Sequence, residues 1–93
     1  MGRYEVHQSD GNAEQLYGFL RGHGATVVVI HRPVDCAVGA YGVTALAEVK
    51  QPKGKLEPSQ MAFLSEWRGL CVVLRTEADC RELLATMRAQ SGR

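Results

Sequence analysis

Asp35, Glu48 and Lys50 are the residues of this chain whose types and spacing could do hydrolytic chemistry. Side chains two apart on a strand point to the same face, so a strand ending at Lys50 presents Glu48 and Lys50 together and buries Val49. A turn at residues 40–42 between two antiparallel strands would bring Asp35 to the same place. Carboxylate oxygens suit magnesium or manganese, which keep several waters and bind substrate phosphate. The spacing therefore indicates a metal-dependent phosphodiester hydrolase.

Each member of this set has a chemical task on that interpretation. The carbonyl of Val49 would face the same pocket as the two carboxylates. Lys50 would orient or deprotonate the attacking water, or offset the charge that builds on the phosphate in the transition state. The alternative is an ordinary edge strand that carries Glu48 and Lys50 as a solvated ion pair, and the spacing alone does not choose between the two.

The order of the surrounding segments resembles a known nuclease family. Lys50 is followed by a polar, basic Pro/Gly loop at residues 51–55 and then by a helix with proline in its first turn. The segments, in chain order, are Asp35, Glu48-Val49-Lys50, the basic glycine loop, Leu56-x-Pro58-x-Gln60, a tryptophan-bearing helix and Gly69-Leu70-Cys71-Val72-Val73. They resemble the PD-(D/E)XK nuclease superfamily, and within it the small VRR-NUC domains, including standalone phage-type members. The resemblance also includes Asp10-x-Asn12-x-Glu14 and Leu20-Arg21-x-x-Gly24, and covers roughly residues 10–84.

The resemblance implies an α/β fold with a restriction-endonuclease-like core, in which helices flank a mixed central sheet of about four strands. It also implies hydrolysis of DNA phosphodiester bonds at one or two divalent metal ions, Mg²⁺ or Mn²⁺. Some standalone members act as homodimers on branched DNA such as four-way junctions or flaps.

The family's site residues transfer to matching positions of this chain. The resemblance assigns Asp35 and Glu48 as metal ligands, the Val49 carbonyl as a third ligand, Lys50 as catalytic, Gln60 as a helper and Glu14 as an outer acid. Two positions depart from the family pattern: Val34 separates Pro33 from the aspartate, and Glu57 stands where the family tends to have a Ser or Thr helix cap.

The lysines are concentrated beside this candidate site although the net charge is only +1. All three lysines of the chain, Lys50, Lys53 and Lys55, lie within six residues. A loop directly after the catalytic strand favours phosphate contact by Lys53 and Lys55 over a solubilising role. Arg75, at the end of a later strand, could also reach a phosphate. His31 and Arg32 end a strand beside Asp35 and face either substrate or solvent.

Composition predicts one small domain over residues 1–93, with flexible tails at 1–9 and 90–93. The chain is 45% hydrophobic and 23% charged, near the average for globular proteins. A domain of this size buries only somewhat more than ~60% of its unfolded surface, which favours a homodimer. The sequence has no membrane span, no signal peptide and no motif for an organic cofactor, so we expect a cytoplasmic protein, or one in the host cytoplasm if phage-encoded. Cysteine occurs three times, an odd number without metal-ligand spacing, so Cys36, Cys71 and Cys80 are predicted to be buried free thiols.

The hydrophobic pattern predicts three helices and four strands. In the first helix, Asn12 is the predicted N-cap, and the predicted inward face is Leu16, Phe19, Leu20 and His23. The predicted strands are Ala25 to Ile30, buried on both faces, Asp35 to Val38, Val43 to Lys50 and Leu70 to Leu74. The other helices are Pro58 to Trp67 and one capped by Thr76 that buries Cys80, Leu83, Leu84 and Met87.

The second helix places Gln60 on the same stripe as Leu64 and Trp67. An inward amide needs partners, so Gln60 binds either a catalytic water or Lys50, or else a neighbouring backbone group. Trp67 is predicted to lie in the core or an interface.

Two functions follow from the sequence. The chain is either a metal-dependent endonuclease or a catalytically silent module of the same fold that binds nucleic acid or protein. A weaker third hypothesis is an unrelated small α/β protein whose acids are only surface charges.

Overall fold

The computed structural model describes residues 11–92 and has three helices and four strands in chain order. They are α1 (Ala13–Gly22), β1 (Thr26–Val29), β2 (Cys36–Ala40), β3 (Val43–Val49), α2 (Pro58–Glu66), β4 (Cys71–Leu74) and α3 (Glu77–Ser91). The predicted α/β class, with helices and a mixed sheet of four strands, is confirmed. The last helix continues through residues 90 and 91, beyond the start of the predicted C-terminal tail, whereas the predicted tail at 1–9 and Asp10 lie outside the described residues.

The four strands form one sheet in the order β1-β2-β3-β4. The first three strands are antiparallel, and β4 pairs parallel to β3 after the crossover through α2. The turn between β2 and β3 contains only Tyr41 and Gly42, with φ of 57° and 75°. Two successive positive φ values characterise the tight hairpin turn whose twist matches that of the flanking strands. The turn predicted at residues 40–42 is therefore confirmed.

Helices α1 and α3 pack on one face of the sheet and enclose the core. Strand alternation directs Val38, Ala45 and Ala47 into this core, where all three are fully buried. The buried stripe of α1 consists of Ala13, Leu16, Tyr17 and Leu20. The predicted stripe was thus partly wrong, because Tyr17 is buried whereas Phe19 is half-buried and His23 is exposed. None of the helices within residues 11–92 is long and apolar enough to span a bilayer.

Strand β1 lies at the edge of the sheet, and the prediction that both its faces are buried is wrong. Val27 is buried under α1, but Val28 and Val29 are 52% and 39% exposed. Among residues 11–92, α1 packs against one face of this edge strand. The guanidinium of Arg21 donates a hydrogen bond to the outward carbonyl of Val27 at 3.0 Å, so a side chain of α1 occupies part of the open edge.

The cysteines and the tryptophan divide between core and surface. Cys36 and Cys80 are buried free thiols as predicted, and Cys71 is half-buried. Burial raises the pKa of the Cys36 thiol to about 12 and that of Cys80 to about 11. Trp67 is 45% exposed and stacks on Phe63 with ring centroids 5.4 Å apart. It is therefore not a core residue, because α2 buries no side chain completely.

Asn12 occupies the predicted N-cap position of α1, but its side chain has another role. Its side chain makes no capping hydrogen bond to α1. Instead, the amide nitrogen donates at 3.0 Å to the carbonyls of both Lys50 and Arg75. These residues directly follow β3 and β4, so Asn12 joins the ends of the two parallel strands to the start of α1.

We predict that Asn12→Ala and Asn12→Asp both lower the free energy of unfolding by about 1–3 kcal/mol, because each removes the donor and leaves two carbonyls without it. Urea denaturation would measure the loss. Aspartate caps helices as well as asparagine does. Full stability of Asn12→Asp alongside a destabilised Asn12→Ala would therefore contradict the strand-joining role and support a cap.

Candidate active site

The register of the β2–β3 hairpin brings the two predicted acids together. Ala40 pairs with Val43 at the turn, and Cys36 pairs with Ala47 at the other end of β2. The next position outward sets Asp35 opposite Glu48. Directly opposite residues of antiparallel strands project to the same face with Cβ atoms roughly 5 Å apart. The convergence predicted from the spacing therefore follows from the register.

Asp35 is held at both its backbone and its side chain. Its carbonyl accepts hydrogen bonds from the N–H groups of Ile30 and His31 at 2.8 Å and 3.1 Å. One carboxylate oxygen accepts from the N–H of Val49 at 2.8 Å. Because the N–H and C=O of one strand residue point to the same side, the Val49 carbonyl also faces the side of β3 on which Asp35 lies.

Glu48 is a buried carboxylate with polar neighbours. The residue is 4% exposed, and its Oε2 accepts a hydrogen bond from Gln60 Nε2 at 2.6 Å. The Lys50 ammonium lies 4.0 Å from the same oxygen. Gln60 Oε1 in turn accepts from the backbone N–H of Glu57 at 2.8 Å. Gln60 thus bonds the acid itself instead of Lys50, while a backbone group satisfies the other end of its amide.

These side chains line one open cleft with a volume of about 560 Å³. Its lining residues are His31, Arg32, Pro33, Asp35, Glu48, Val49, Lys50, Ser59 and Gln60. Every predicted catalytic residue lies here, together with Arg32 from the predicted nucleic-acid contacts. The lining does not include Glu14, Lys53, Lys55 or Arg75. Glu14 is exposed in the first turn of α1.

The donor chemistry of the cleft fits a hard divalent cation. Asp35, Glu48 and the Val49 carbonyl offer oxygen atoms only, and magnesium commonly binds through one or two carboxylates plus water and substrate phosphate. Within residues 11–92, no group of three His, Cys, Asp or Glu side chains is arranged to hold a metal. A cation here would therefore depend on two carboxylates, the backbone carbonyl and non-protein ligands.

The end of the sheet at which Asp35 and Glu48 lie also carries the N-termini of the three helices. Asn12 places the start of α1 beside Lys50, Ser59 and Gln60 of the first turn of α2 line the cleft, and α3 begins just after β4. Helix N-termini carry partial positive charge and unpaired N–H groups. The helix N-termini therefore place partial positive charge at the same end of the sheet as the carboxylates.

Arg75, a predicted phosphate contact, hydrogen-bonds the loop that follows β3. Its Nη1 donates to the carbonyls of Gly54 at 2.6 Å and Gln51 at 2.9 Å, and lies 3.4 Å from that of Pro52. These carbonyls belong to residues 51–55, the lysine loop, in which Lys53 is exposed. Arg75 thus fixes the lysine loop beside the cleft.

Tyr17 is a buried residue that sequence reasoning missed. It lies on α1, and burial, reinforced by the charges of Cys36, Asp35, Glu14 and Glu48, raises the pKa of its hydroxyl well above the usual range. Its position four residues after Ala13 and three before Leu20, both buried, was the signal that could have identified it.

We predict that Arg75→Ala accelerates trypsin cleavage after Lys53 and Lys55 several-fold, because the loop loses the guanidinium that joins its carbonyls. Native-state proteolysis followed by mass spectrometry would measure the rates at these two bonds. Arg88→Ala, which removes an exposed arginine from α3, is the matched control and should leave both rates unchanged. Equal rates in Arg75→Ala and wild type would show that Arg75 does not fix the loop.

Comparison with known proteins adds no relative from which a function could be transferred. No protein-family model matches the chain, and no curated protein or solved structure is significantly similar to it.

Proposed function

We propose that this protein is a Mg²⁺- or Mn²⁺-dependent endodeoxyribonuclease with a restriction-endonuclease-like core similar to the VRR-NUC domains. The observation that carries the proposal is the convergence of Asp35, Glu48, the Val49 carbonyl side and Lys50 on one polar cleft. The mixed sheet with its flanking helices agrees with this finer fold assignment.

The residues of the cleft have complementary tasks in phosphodiester hydrolysis. A divalent cation held by Asp35, Glu48 and the Val49 carbonyl would activate water and stabilise charge on the phosphate. The Val49 N–H fixes one oxygen of Asp35, and Gln60 fixes Glu48, so both carboxylates are oriented before substrate arrives. Lys50, 4.0 Å from Glu48, is close enough to orient the attacking water or to donate to the phosphate.

The substrate in this proposal is DNA. It would reach the cleft from the end of the sheet that carries the helix N-termini and the lysine loop. Phosphate contacts would come from Arg32 in the cleft and from Lys53 and Lys55 beside it, because a basic loop next to the catalytic strand meets the backbone on either side of the scissile bond. Branched DNA is the proposed preference, with a homodimer placing two sites on opposite strands. The proposed location is the cytoplasm, or the host cytoplasm if the chain is phage-encoded.

The second candidate is a catalytically silent binding module for nucleic acid or protein. One observation favours it: Gln60 hydrogen-bonds Glu48 at 2.6 Å and the Lys50 ammonium is nearby, so this carboxylate is partly neutralised by protein groups alone. A module of this kind would keep the lysine loop but would not cut DNA.

We predict that Glu48→Gln and Lys50→Ala each reduce DNA cleavage by about 10²-fold or more, because each removes charge from the reacting centre. Cleavage of end-labelled four-way junction, flap, duplex and single-stranded DNA with Mg²⁺ or Mn²⁺ would measure the rates. Glu66→Gln is the matched control, because Glu66 is an exposed acid at the end of α2. Wild-type DNA binding without cleavage of any substrate would favour the silent module.

We further predict that Lys53→Ala combined with Lys55→Ala weakens DNA binding and makes the slope of log K against log salt shallower by about 1–2, through the loss of two phosphate contacts. Titrations in EDTA at several salt concentrations would give the slope. Arg81→Gln combined with Arg88→Gln removes the same charge from α3 and serves as the control. An equal change of slope in both double variants would exclude a specific role for the loop.

A further inference from the structure

The turn that joins β1 to β2, residues 31–34, contributes His31, Arg32 and Pro33 to the cleft lining. Asp35 directly follows this turn. The rest of the lining comes from Glu48, Val49 and Lys50 at the end of β3 and from Ser59 and Gln60 of α2. A nucleic-acid strand in the cleft would therefore lie against the turn as well as against the acids.

The rest of the lining offers few side-chain donors to a phosphate. The carboxylates only accept hydrogen bonds when ionised. Gln60 donates to Glu48 and accepts from the Glu57 N–H, which leaves the second N–H of its Nε2. The other side-chain donors are Lys50 and the hydroxyl of Ser59.

The backbone of the turn cannot supply the missing donors. The N–H of His31 donates to the Asp35 carbonyl at 3.1 Å, and the N–H of Arg32 donates to the Ile30 carbonyl at 2.8 Å. Pro33 has no N–H. The remaining donors of the turn that line the cleft are the side chains of His31 and Arg32.

His31 also has a backbone conformation that is costly for its residue type. Its φ is +70°, in the left-handed region that costs a residue with a Cβ roughly 1–2 kcal/mol. Such conformations in non-glycine residues cluster at ligand-binding sites, where the surrounding structure maintains them. Here the hydrogen bond from His31 N–H to Asp35 fixes the strained residue to a predicted metal ligand. His31 is exposed, so packing of its ring in the core does not account for it.

We propose that the His31 imidazole is a substrate-binding group that donates a hydrogen bond to a backbone phosphate of the nucleic-acid strand lying in the cleft. This inference rests on the proposed function, since it concerns the same cleft. It adds to Arg32 a second side-chain donor from the turn, and it explains why a histidine occupies a position where glycine would avoid the backbone cost.

The test is His31→Gly, which removes the imidazole while the backbone keeps a conformation that glycine adopts freely. We expect a ten- to hundredfold fall in kcat/KM for DNA cleavage and weaker DNA binding in EDTA, as for loss of a hydrogen bond to a charged group. His23→Ala is the matched control. It removes an exposed imidazole at the C-terminal end of α1, whereas the other end of that helix lies beside Lys50, and it should leave both measurements unchanged.

A second readout separates contact from a structural effect. Single neutral methylphosphonates are placed at successive positions of the DNA, and binding of each oligonucleotide is measured for wild type and His31→Gly. If His31 contacts one phosphate, wild type loses affinity at that position, whereas His31→Gly shows no further loss there. Identical profiles for the two proteins, or kcat/KM and affinity of His31→Gly within twofold of wild type, would overturn the inference.

The outcomes also distinguish this inference from the proposed nuclease function. DNA binding by wild type without cleavage would reject the nuclease, and the methylphosphonate profiles would still decide the role of His31. No DNA binding by wild type would reject both. Normal cleavage by His31→Gly would leave the nuclease intact and remove His31 from the site.

Discussion

The two-residue turn at Tyr41 and Gly42 is the constraint on which the site depends. It fixes the register of β2 against β3, and this register sets Asp35 opposite Glu48. Side chains alternate along a strand, so a slip of one residue would move the opposing carboxylate to the other face of the sheet. The positive φ values at the turn thus determine whether the acids meet at the far end of the hairpin. Asp35 then bonds the Val49 N–H, which secures the register at that end as well.

Charges of both signs lie together at the end of the sheet that holds Asp35 and Glu48. Two carboxylates at one place repel, and Glu48 is almost completely buried. The helix N-termini, the Gln60 amide and the Lys50 ammonium offset that cost, and each comes from a different part of the chain. A cluster of acids is therefore sustained in a small protein by groups that would equally attract phosphate. The groups that offset the repulsion between the acids are thus of the same kind as those that bind phosphate.

Sequence reasoning succeeded where the physics is local. The alternation of Glu48, Val49 and Lys50, the short turn, and the Thr76 cap, which accepts from the Asp79 N–H at 3.2 Å, depend on neighbours within a few residues. The sequence could also indicate which residues converge, because hairpin register follows from turn length. The positions of Asp35, Glu48 and Lys50 could thus be outlined from one strand pair.

The sequence did not indicate side-chain partners that are distant in the chain. Asn12 occupies the predicted N-cap position, but its side-chain partners lie 38 and 63 residues away. Arg75 bonds carbonyls more than 20 residues earlier, and its contact with phosphate stays a prediction. No local pattern reports which strand ends meet. Burial of β1 was overestimated for a similar reason, since a run of valines does not reveal that its strand lies at the edge.

The hydrogen bond from Arg21 to Val27 bears on how this protein behaves when concentrated. An edge strand with exposed valines is a template on which other chains can add strands, the first step of β-aggregation. The guanidinium occupies a carbonyl that an incoming strand would need, so polymerisation along this edge requires Arg21 to be displaced. This protection of the edge strand comes from α1. It would be lost if α1 loosened, even while the strands themselves stayed paired.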